Sequence, residues 1–172
     1  MKIRMNNRLF IVCPFSNLEY TLKKQYGQDS HFLSVPAGLI SANDNIFLDN
    51  LKRVTTANSI SEIYVTNEVS NSFVLSVMND TYKRDIAFLN PVADLKEEFW
   101  MERFAGLTPR QQILKMAELI VELSVESLQS SLVSINVESA QSLTVRGIVL
   151  SKEAGFLKEL KKMNRYKIAY GL

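Results

Sequence analysis

Four short apolar runs, separated by segments with helical periodicity, constrain the fold of this chain more than any other feature. They lie at 9–12, 31–35, 63–65 and 143–150. Short continuous apolar runs are typical of strands buried on both faces of a parallel sheet. Strands that alternate with helical segments pair in parallel through right-handed crossovers. We therefore predict an α/β fold with a mostly parallel central sheet of roughly four to five strands flanked by helices.

The segments between the apolar runs carry helix signals. Apolar residues recur at helical spacing over 18–26 up to Gly27, and Asn43 or Asp44 can cap a helix that continues through 47–54. Further helices are predicted at 72–78 and 94–104. The triplet Thr66-Asn67-Glu68 is expected to open the loop after the third strand.

The clearest local signal is the stretch Thr108-Pro109-Arg110-Gln111. A threonine N-cap, a proline at the first helical position and a glutamine three residues after the cap form a capping box. A long helix with one buried stripe should follow, formed by Ile113, Ala117, Ile120, Ser124 and Leu128.

The end of the chain is predicted to form a turn at 152–155 and then a last helix. Basic residues alternate there with Leu157, Leu160 and Met163 at helical spacing, which indicates a solvated helix face. The basic residues are Lys158, Lys161, Lys162, Arg165 and Lys167.

Composition narrows the class of protein. A chain of 172 residues, 47% apolar and 22% charged, suits one globular domain over 1–172. Twenty Lys and Arg against 18 Asp and Glu do not produce the positive field of a nucleic-acid-binding protein. No apolar stretch is long enough for a membrane span or a signal peptide. The single cysteine excludes an internal disulfide, so we expect a cytoplasmic protein.

The residues that could carry chemistry are few. Cys13 follows the first strand, where it is either a reactive thiol or a small buried hydrophobe. His31 is the only histidine and has no Cys or His nearby in sequence. Acidic residues near strand ends could supply other metal ligands, although their spacing equally fits solvated loops: Asp29, Asp44 and Glu68. Neither Ser16 nor Ser70 lies in a Gly-x-Ser-x-Gly motif, and no glycine-rich phosphate loop is present.

Three segments that follow predicted strands resemble the landmarks of the β-class carbonic anhydrases. In that family the segments read Cys-x-Asp-Ser-Arg, Arg-Asn-Ala-Gly and His-x-x-Cys-Gly. Here they read Cys13-Pro14-Phe15-Ser16-Asn17, Val35-Pro36-Ala37-Gly38 and Asn67-Glu68-Val69-Ser70-Asn71. The late strand, 145–150, and the Glu153-Ala154-Gly155 that follows also resemble the family.

The resemblance implies a site at the strand ends with altered chemistry. Family enzymes bind zinc through two thiolates and an imidazole. Here only Cys13 is of ligand type, because Asn67 stands in place of the imidazole and Ser70 in place of the second thiolate. Phe15 and Asn17 replace the family's Asp-Arg pair, and Val35 and Pro36 replace its Arg-Asn. An amide oxygen and a hydroxyl are poor zinc ligands.

We therefore expect no catalytic residues, no metal ligands and no cofactor. The expected protein is a catalytically inactive β-carbonic anhydrase-like homodimer that binds a small molecule or a protein through a remodelled pocket. The residues expected to line this pocket are Cys13, Phe15, Ser16, Asn17, Val35, Ala37, Gly38, Asn67 and Ser70. One alternative is a divergent zinc-dependent carbonic anhydrase-type lyase with substitute ligands, Cys13 and His31 among them. Another is a purely structural oligomer with a filled pocket.

Overall fold

A computed structural model describes residues 7–83, 85–134 and 143–160, with the backbone alone at 133 and 134. The strands are Arg8–Val12 (β1), His31–Ser34 (β2), Glu62–Glu68 (β3), Thr144–Ser151 (β4) and Phe156–Leu160 (β5). The α-helices are Glu19–Tyr26 (α1), Asn45–Ala57 (α2), Ser72–Met78 (α3), Asn90–Glu98 (α4) and Pro109–Ser134 (α5). Short 3₁₀ turns lie at Pro36–Gly38 and Ala87–Leu89, and a π-helical turn lies at Trp100–Phe104.

Within the described residues, the strands form one five-stranded sheet in the order β2-β1-β3-β4-β5. The strands β1 to β4 pair in parallel, and β5 pairs antiparallel to β4 at the edge of the sheet. The predicted α/β class with a mostly parallel sheet is confirmed. The carboxyl ends of β1, β2 and β3 therefore meet at one edge of the sheet, where open α/β folds place their sites.

Two helix starts follow the predicted capping. The Asp44 carboxylate accepts a hydrogen bond from the Phe47 amide at 3.0 Å, which selects Asp44 over Asn43 as the cap of α2. At the start of α5, the Thr108 amide donates to the Gln111 side chain at 2.9 Å, and the Gln111 amide donates to the Thr108 hydroxyl at 3.4 Å. The capping box is confirmed, because two amides without helical partners are satisfied reciprocally.

Helix α5 covers one face of the sheet, as its apolar stripe predicts. Ala117, Ile120, Ser124 and Leu128 are buried, while Ile113 is only partly buried. The core on this face contains apolar residues of β1, β3 and β4, and α2 packs beside α5. The opposite face is covered by α1. No helix in the described ranges has both the length and the apolar character needed to cross a bilayer.

The prediction that Thr66-Asn67-Glu68 opens a loop is wrong. These residues continue β3, pairing with Ile148, Val149 and Leu150 of β4. Their polar side chains are accommodated because each is hydrogen-bonded or ion-paired; the Thr66 hydroxyl, for example, donates to the Ile11 carbonyl at 2.9 Å. Strand length is thus decided by cross-strand pairing, which local polarity does not reveal.

The last predicted helix is also wrong where the structure describes it. After the turn, Phe156–Leu160 forms the edge strand β5, with Leu157 opposite Leu150. Lys158 therefore lies on a strand and not on a helix face. The other basic residues of the predicted helix, at 161–167, lie outside the described residues. A spacing of three residues fits one face of a helix and places Leu157 and Leu160 on opposite faces of a strand, so pairing with β4 overrode the local pattern here.

The segment predicted as one helix at 94–104 is divided in two. Helix α4 begins earlier, at Asn90, with Pro91 in its first turn, and it ends at Glu98. The π-helical turn Trp100–Phe104 follows and buries Phe104 completely. Trp100 remains partly exposed, and its ring lies 6.2 Å from that of Phe104.

Candidate functional site

The three segments singled out from the sequence come together at one edge of the sheet. The β1–β2 register pairs Val12 with Ser34, and the β1–β3 register pairs Ile11 with Val65. Continued beyond the strand ends, these registers bring Cys13, Val35 and Asn67 to the same level. The Val35 amide also donates to the Val12 carbonyl at 2.9 Å. The loops after β1, β2 and β3 are therefore neighbours.

Asn67 is the centre of this arrangement and is completely buried. Its Nδ2 donates to the Ala37 carbonyl at 3.0 Å, and its Oδ1 accepts from Asn71 Nδ2 at 3.2 Å. The Asn71 side-chain oxygen in turn accepts from the Phe73 amide at 3.0 Å and so caps α3. The amide of Asn67 is thus engaged at both ends inside the protein.

The Ala37–Gly38 turn packs directly on β3. Ala37 is buried and has a φ of 56°, and Gly38 has a φ of 72°. A Cβ at Gly38 would crowd the Thr66 carbonyl oxygen at 3.2 Å, and the positive φ also favours glycine at this position. From α5, the Ser124 hydroxyl donates to the Gly38 carbonyl at 3.0 Å and accepts from the Ile40 amide at 2.9 Å. The turn is therefore held from both sides.

The loop after β1 has buried and exposed members. Cys13 is buried, and its carbonyl accepts from both the Ser16 hydroxyl at 2.6 Å and the Ser16 amide at 3.0 Å. Ser16 is buried, whereas Asn17 is exposed with a φ of 50°. Phe15 is 65% exposed. The hydroxyl of Ser16 therefore closes a turn.

An aromatic surface borders this edge of the sheet. The ring of Phe15 meets that of Phe73 edge-on at 5.0 Å, and Phe73 meets Phe88 in the same manner at 5.0 Å. Phe88 is 45% exposed. We call these three residues the apolar rim. Phe73 and Phe88 were not predicted as site residues, because nothing in their local sequence indicates that they meet Phe15.

Glu68 and Lys152 form a second feature that sequence reasoning missed. Glu68 is buried, and its Oε2 lies 3.3 Å from Lys152 Nζ, which also donates to the Ser16 carbonyl at 2.7 Å. Ser70 is exposed, and its hydroxyl donates to Glu68 Oε1 at 2.9 Å. The interpretation of Glu68 as a solvated loop residue is therefore wrong, because it lies inside β3. No local signal indicated this, because β3 is buried on both faces and its end is set by pairing with β4.

Among the described residues, no three or more His, Cys, Asp or Glu side chains are grouped so that they could hold a metal ion. His31 begins β2 opposite Leu9, whereas Cys13 follows the other end of β1. At about 3.3 Å per residue, the two lie on the order of 10 Å or more apart along the strands. One chain therefore cannot direct both to the same ion. Asp44 is committed to capping α2.

Two cavities in the described part of the chain lie away from these loops. One, of about 320 Å³, is lined by Asp80, Tyr82, Ala93, Lys96, Glu97 and Trp100. The other, of about 720 Å³, lies along α2 between Asn50 and Asn58. Neither contains a residue expected to line the remodelled pocket, so that pocket remains a prediction.

No family model and no curated protein sequence matches this chain. Solved structures do match. The β-carbonic anhydrase CafD of the filamentous fungus Aspergillus fumigatus superposes with a TM-score of 0.75 at 16% identity, covering 93% of this chain and 92% of that one. The chain has the β-carbonic anhydrase fold.

Two other β-carbonic anhydrase structures agree. A tetrameric β-carbonic anhydrase from Sordaria macrospora superposes with a TM-score of 0.75 at 16% identity, covering 90% of this chain and 80% of that one. The Coccomyxa β-carbonic anhydrase in complex with acetazolamide superposes with a TM-score of 0.72 at 21% identity, covering 91% of this chain and 72% of that one. These likenesses confirm the expected β-carbonic anhydrase-like fold. At such identities they concern the fold alone.

Proposed function

We propose that this chain is a non-catalytic protein with the β-carbonic anhydrase fold, which binds no zinc and takes an apolar ligand or partner at the apolar rim. The observation that carries the proposal is the engagement of Asn67. Its amide is hydrogen-bonded to Ala37 and Asn71 at the strand end where a metal-binding side chain would be needed.

The residues present do not fit a zinc ion. Zinc in proteins is bound by thiolate, imidazole and carboxylate groups. Of the three positions compared with the family's ligands, only Cys13 offers such a group. The Asn67 oxygen is already an acceptor for Asn71, and the Ser70 hydroxyl is directed to Glu68. A single thiolate with these neighbours has too few donors to hold the ion.

Elemental analysis of the purified protein and a carbon dioxide hydration assay test this part of the proposal. We expect substoichiometric zinc and no hydration above the uncatalysed rate. The variant Cys13→Ser should leave the zinc content and the oligomeric state unchanged, whereas an enzyme with substitute ligands would lose its metal. Stoichiometric zinc accompanied by turnover would overturn the proposal.

The exposure of the apolar rim supports a binding role. Phe15 places most of its ring in solvent although it contacts Phe73, and contiguous exposed apolar surface of this kind often marks an interaction site. The only described lysine in this loop cluster, Lys152, is paired with buried Glu68. The rim therefore suits an apolar group better than an anion such as bicarbonate.

The uncharged apolar dye Nile red is a suitable probe of the rim. We expect the wild-type protein to bind it with increased fluorescence, and we expect Phe15→Ser to weaken binding about fivefold or more. Tyr20→Ser is the matched control, because Tyr20 is an exposed aromatic on α1 outside the rim. Equal loss in both variants, or no binding by the wild type, would favour a purely structural protein.

We also propose that the protein is a homodimer. The support is the exposed apolar surface, together with self-association in the tetrameric Sordaria macrospora enzymes of the same fold. Sedimentation equilibrium at micromolar concentration should give twice the chain mass of 19.6 kDa. A monomer would contradict this part while leaving the zinc and dye experiments interpretable.

A further inference from the structure

A buried relay of side-chain amides connects the turn after β2 to the start of α3. It runs from the Ala37 carbonyl to Asn67, from Asn67 to Asn71, and from Asn71 to the Phe73 amide. Asn67 and Asn71 are 0% and 2% exposed. The buried nitrogen and oxygen atoms of both side-chain amides have hydrogen-bond partners.

The far end of the relay is the middle residue of the apolar rim. Phe73 is the second residue of α3, and its ring contacts both Phe15 and Phe88. The direction in which α3 begins fixes where this ring lies. The cap that sets this direction belongs to Asn71, whose other side-chain atom is bound to Asn67.

We propose that Asn67 is the positioning residue of the rim. Acting through Asn71, it holds the start of α3, and therefore Phe73, in fixed relation to the Ala37–Gly38 turn. That this positioning serves ligand binding rests on the proposed function. The coupling between the two ends of the relay is a property of the chain itself.

The chemistry of the carboxamide explains why this position uses asparagine. Its nitrogen donates to a carbonyl while its oxygen accepts from a second amide, so one side chain joins two elements. A carboxylate of the same shape can only accept, and alanine does neither. A buried amide network in which every member is satisfied fixes a unique geometry, whereas a broken one loosens its neighbours.

Two variants cut the relay at different members. Asn67→Ala removes the centre and leaves Asn71 in place. Asn71→Asp keeps an oxygen that accepts from the Phe73 amide but removes the donor to Asn67. Asn58→Asp is the matched control, because Asn58 Nδ2 donates to the Val54 carbonyl within the end of α2 and joins no separate element.

Amide hydrogen exchange, resolved by residue, measures the coupling. Asn67→Ala should speed exchange of the Phe73 amide, and Asn71→Asp should speed exchange of the Gly38 and Leu39 amides, each about 5- to 10-fold for the loss of one hydrogen bond. The Asn58→Asp control should leave all three amides unchanged. Dye binding at the rim should weaken at least about threefold in Asn67→Ala.

The amides at the end of the relay away from each substitution decide whether the two ends are coupled. If each variant affects only the amides beside the substitution, or if all core amides accelerate equally, the positioning role is overturned. Should Asn67→Ala fail to fold, Asn71→Asp tests the same coupling alone. Failure of the wild-type protein to bind the dye would remove the binding function while leaving the exchange results to judge the relay.

Discussion

Lys152 Nζ lies 3.3 Å from Glu68 Oε2, so the turn after β4 is tied to the end of β3. The same ammonium donates to the Ser16 carbonyl at 2.7 Å. One partly exposed lysine therefore joins the loop after β1, the end of β3 and the turn after β4. Because Glu68 is buried, this lysine also supplies the charge that compensates its carboxylate.

Replacing Lys152 by methionine should destabilise the protein. The variant leaves Glu68 buried without its cation, and we expect a loss of about 1–3 kcal/mol in the free energy of unfolding by urea. The double variant Glu68→Gln with Lys152→Met is the control, since it leaves no uncompensated charge. It should be less destabilised than the sum of the two single variants. Additive effects would show that the pair is not coupled.

Glu118 should make stability depend on pH. Burial alone would raise the pKa of this carboxyl, but hydrogen bonds from Lys115 and Lys158 outweigh burial and hold the pKa below its usual 4.5. A carboxyl whose pKa is lower in the folded than in the unfolded state stabilises the fold at pH values above its unfolded pKa. That contribution is lost as the pH falls through the folded pKa.

The variant Glu118→Gln tests this dependence. At pH 7 it should lower the free energy of unfolding by about 1–2 kcal/mol, reduced because both lysines are partly exposed. The difference from wild type should narrow progressively below about pH 4.5. Glu98→Gln, at an exposed position on α4, should show no such trend. A difference that is constant with pH would rule out the ion pairs as its source.

Gly147→Ala should destabilise the contact between β4 and α5. An added Cβ would lie 2.5 Å from Val121 Cγ1, and a β-branched side chain in a helix has little freedom to move aside. We expect a loss of about 1–3 kcal/mol, measured by urea unfolding. The double variant Gly147→Ala with Val121→Ala provides room for the methyl group. It should be more stable than the sum of the single changes predicts.

Thr108→Ala should weaken the start of α5. The variant removes the hydroxyl that accepts from the Gln111 amide, which is half of the capping box, at a cost of about 1 kcal/mol in the free energy of unfolding. Thermal unfolding should begin several degrees lower, and Thr56→Ala, at an exposed position in α2, should have a smaller effect. Equal effects of the two substitutions would show that the cap contributes nothing measurable.

Much of the fold follows from local rules. The apolar run of β1, the cap of α2 at Asn43 or Asp44 and the capping box at Thr108 each act within a few residues, so the sequence predicts them, and the structure selects Asp44. The meeting of the three loops also follows, because the carboxyl ends of parallel strands share one edge. The aromatic contacts of Phe15 could not be predicted in the same way, since Phe73 and Phe88 are brought to it by separate elements.

The sequence by itself determined the α/β class, most element positions, and the scarcity of soft metal donors beside Cys13. The tertiary structure decided that Asn67 and Glu68 lie within β3, that β5 is a strand, and that Lys152 compensates Glu68. The physical reason is the range of the interactions. Caps and periodicity depend on neighbours along the chain, whereas strand extension and the burial of polar groups depend on partners about 30 to 85 residues away.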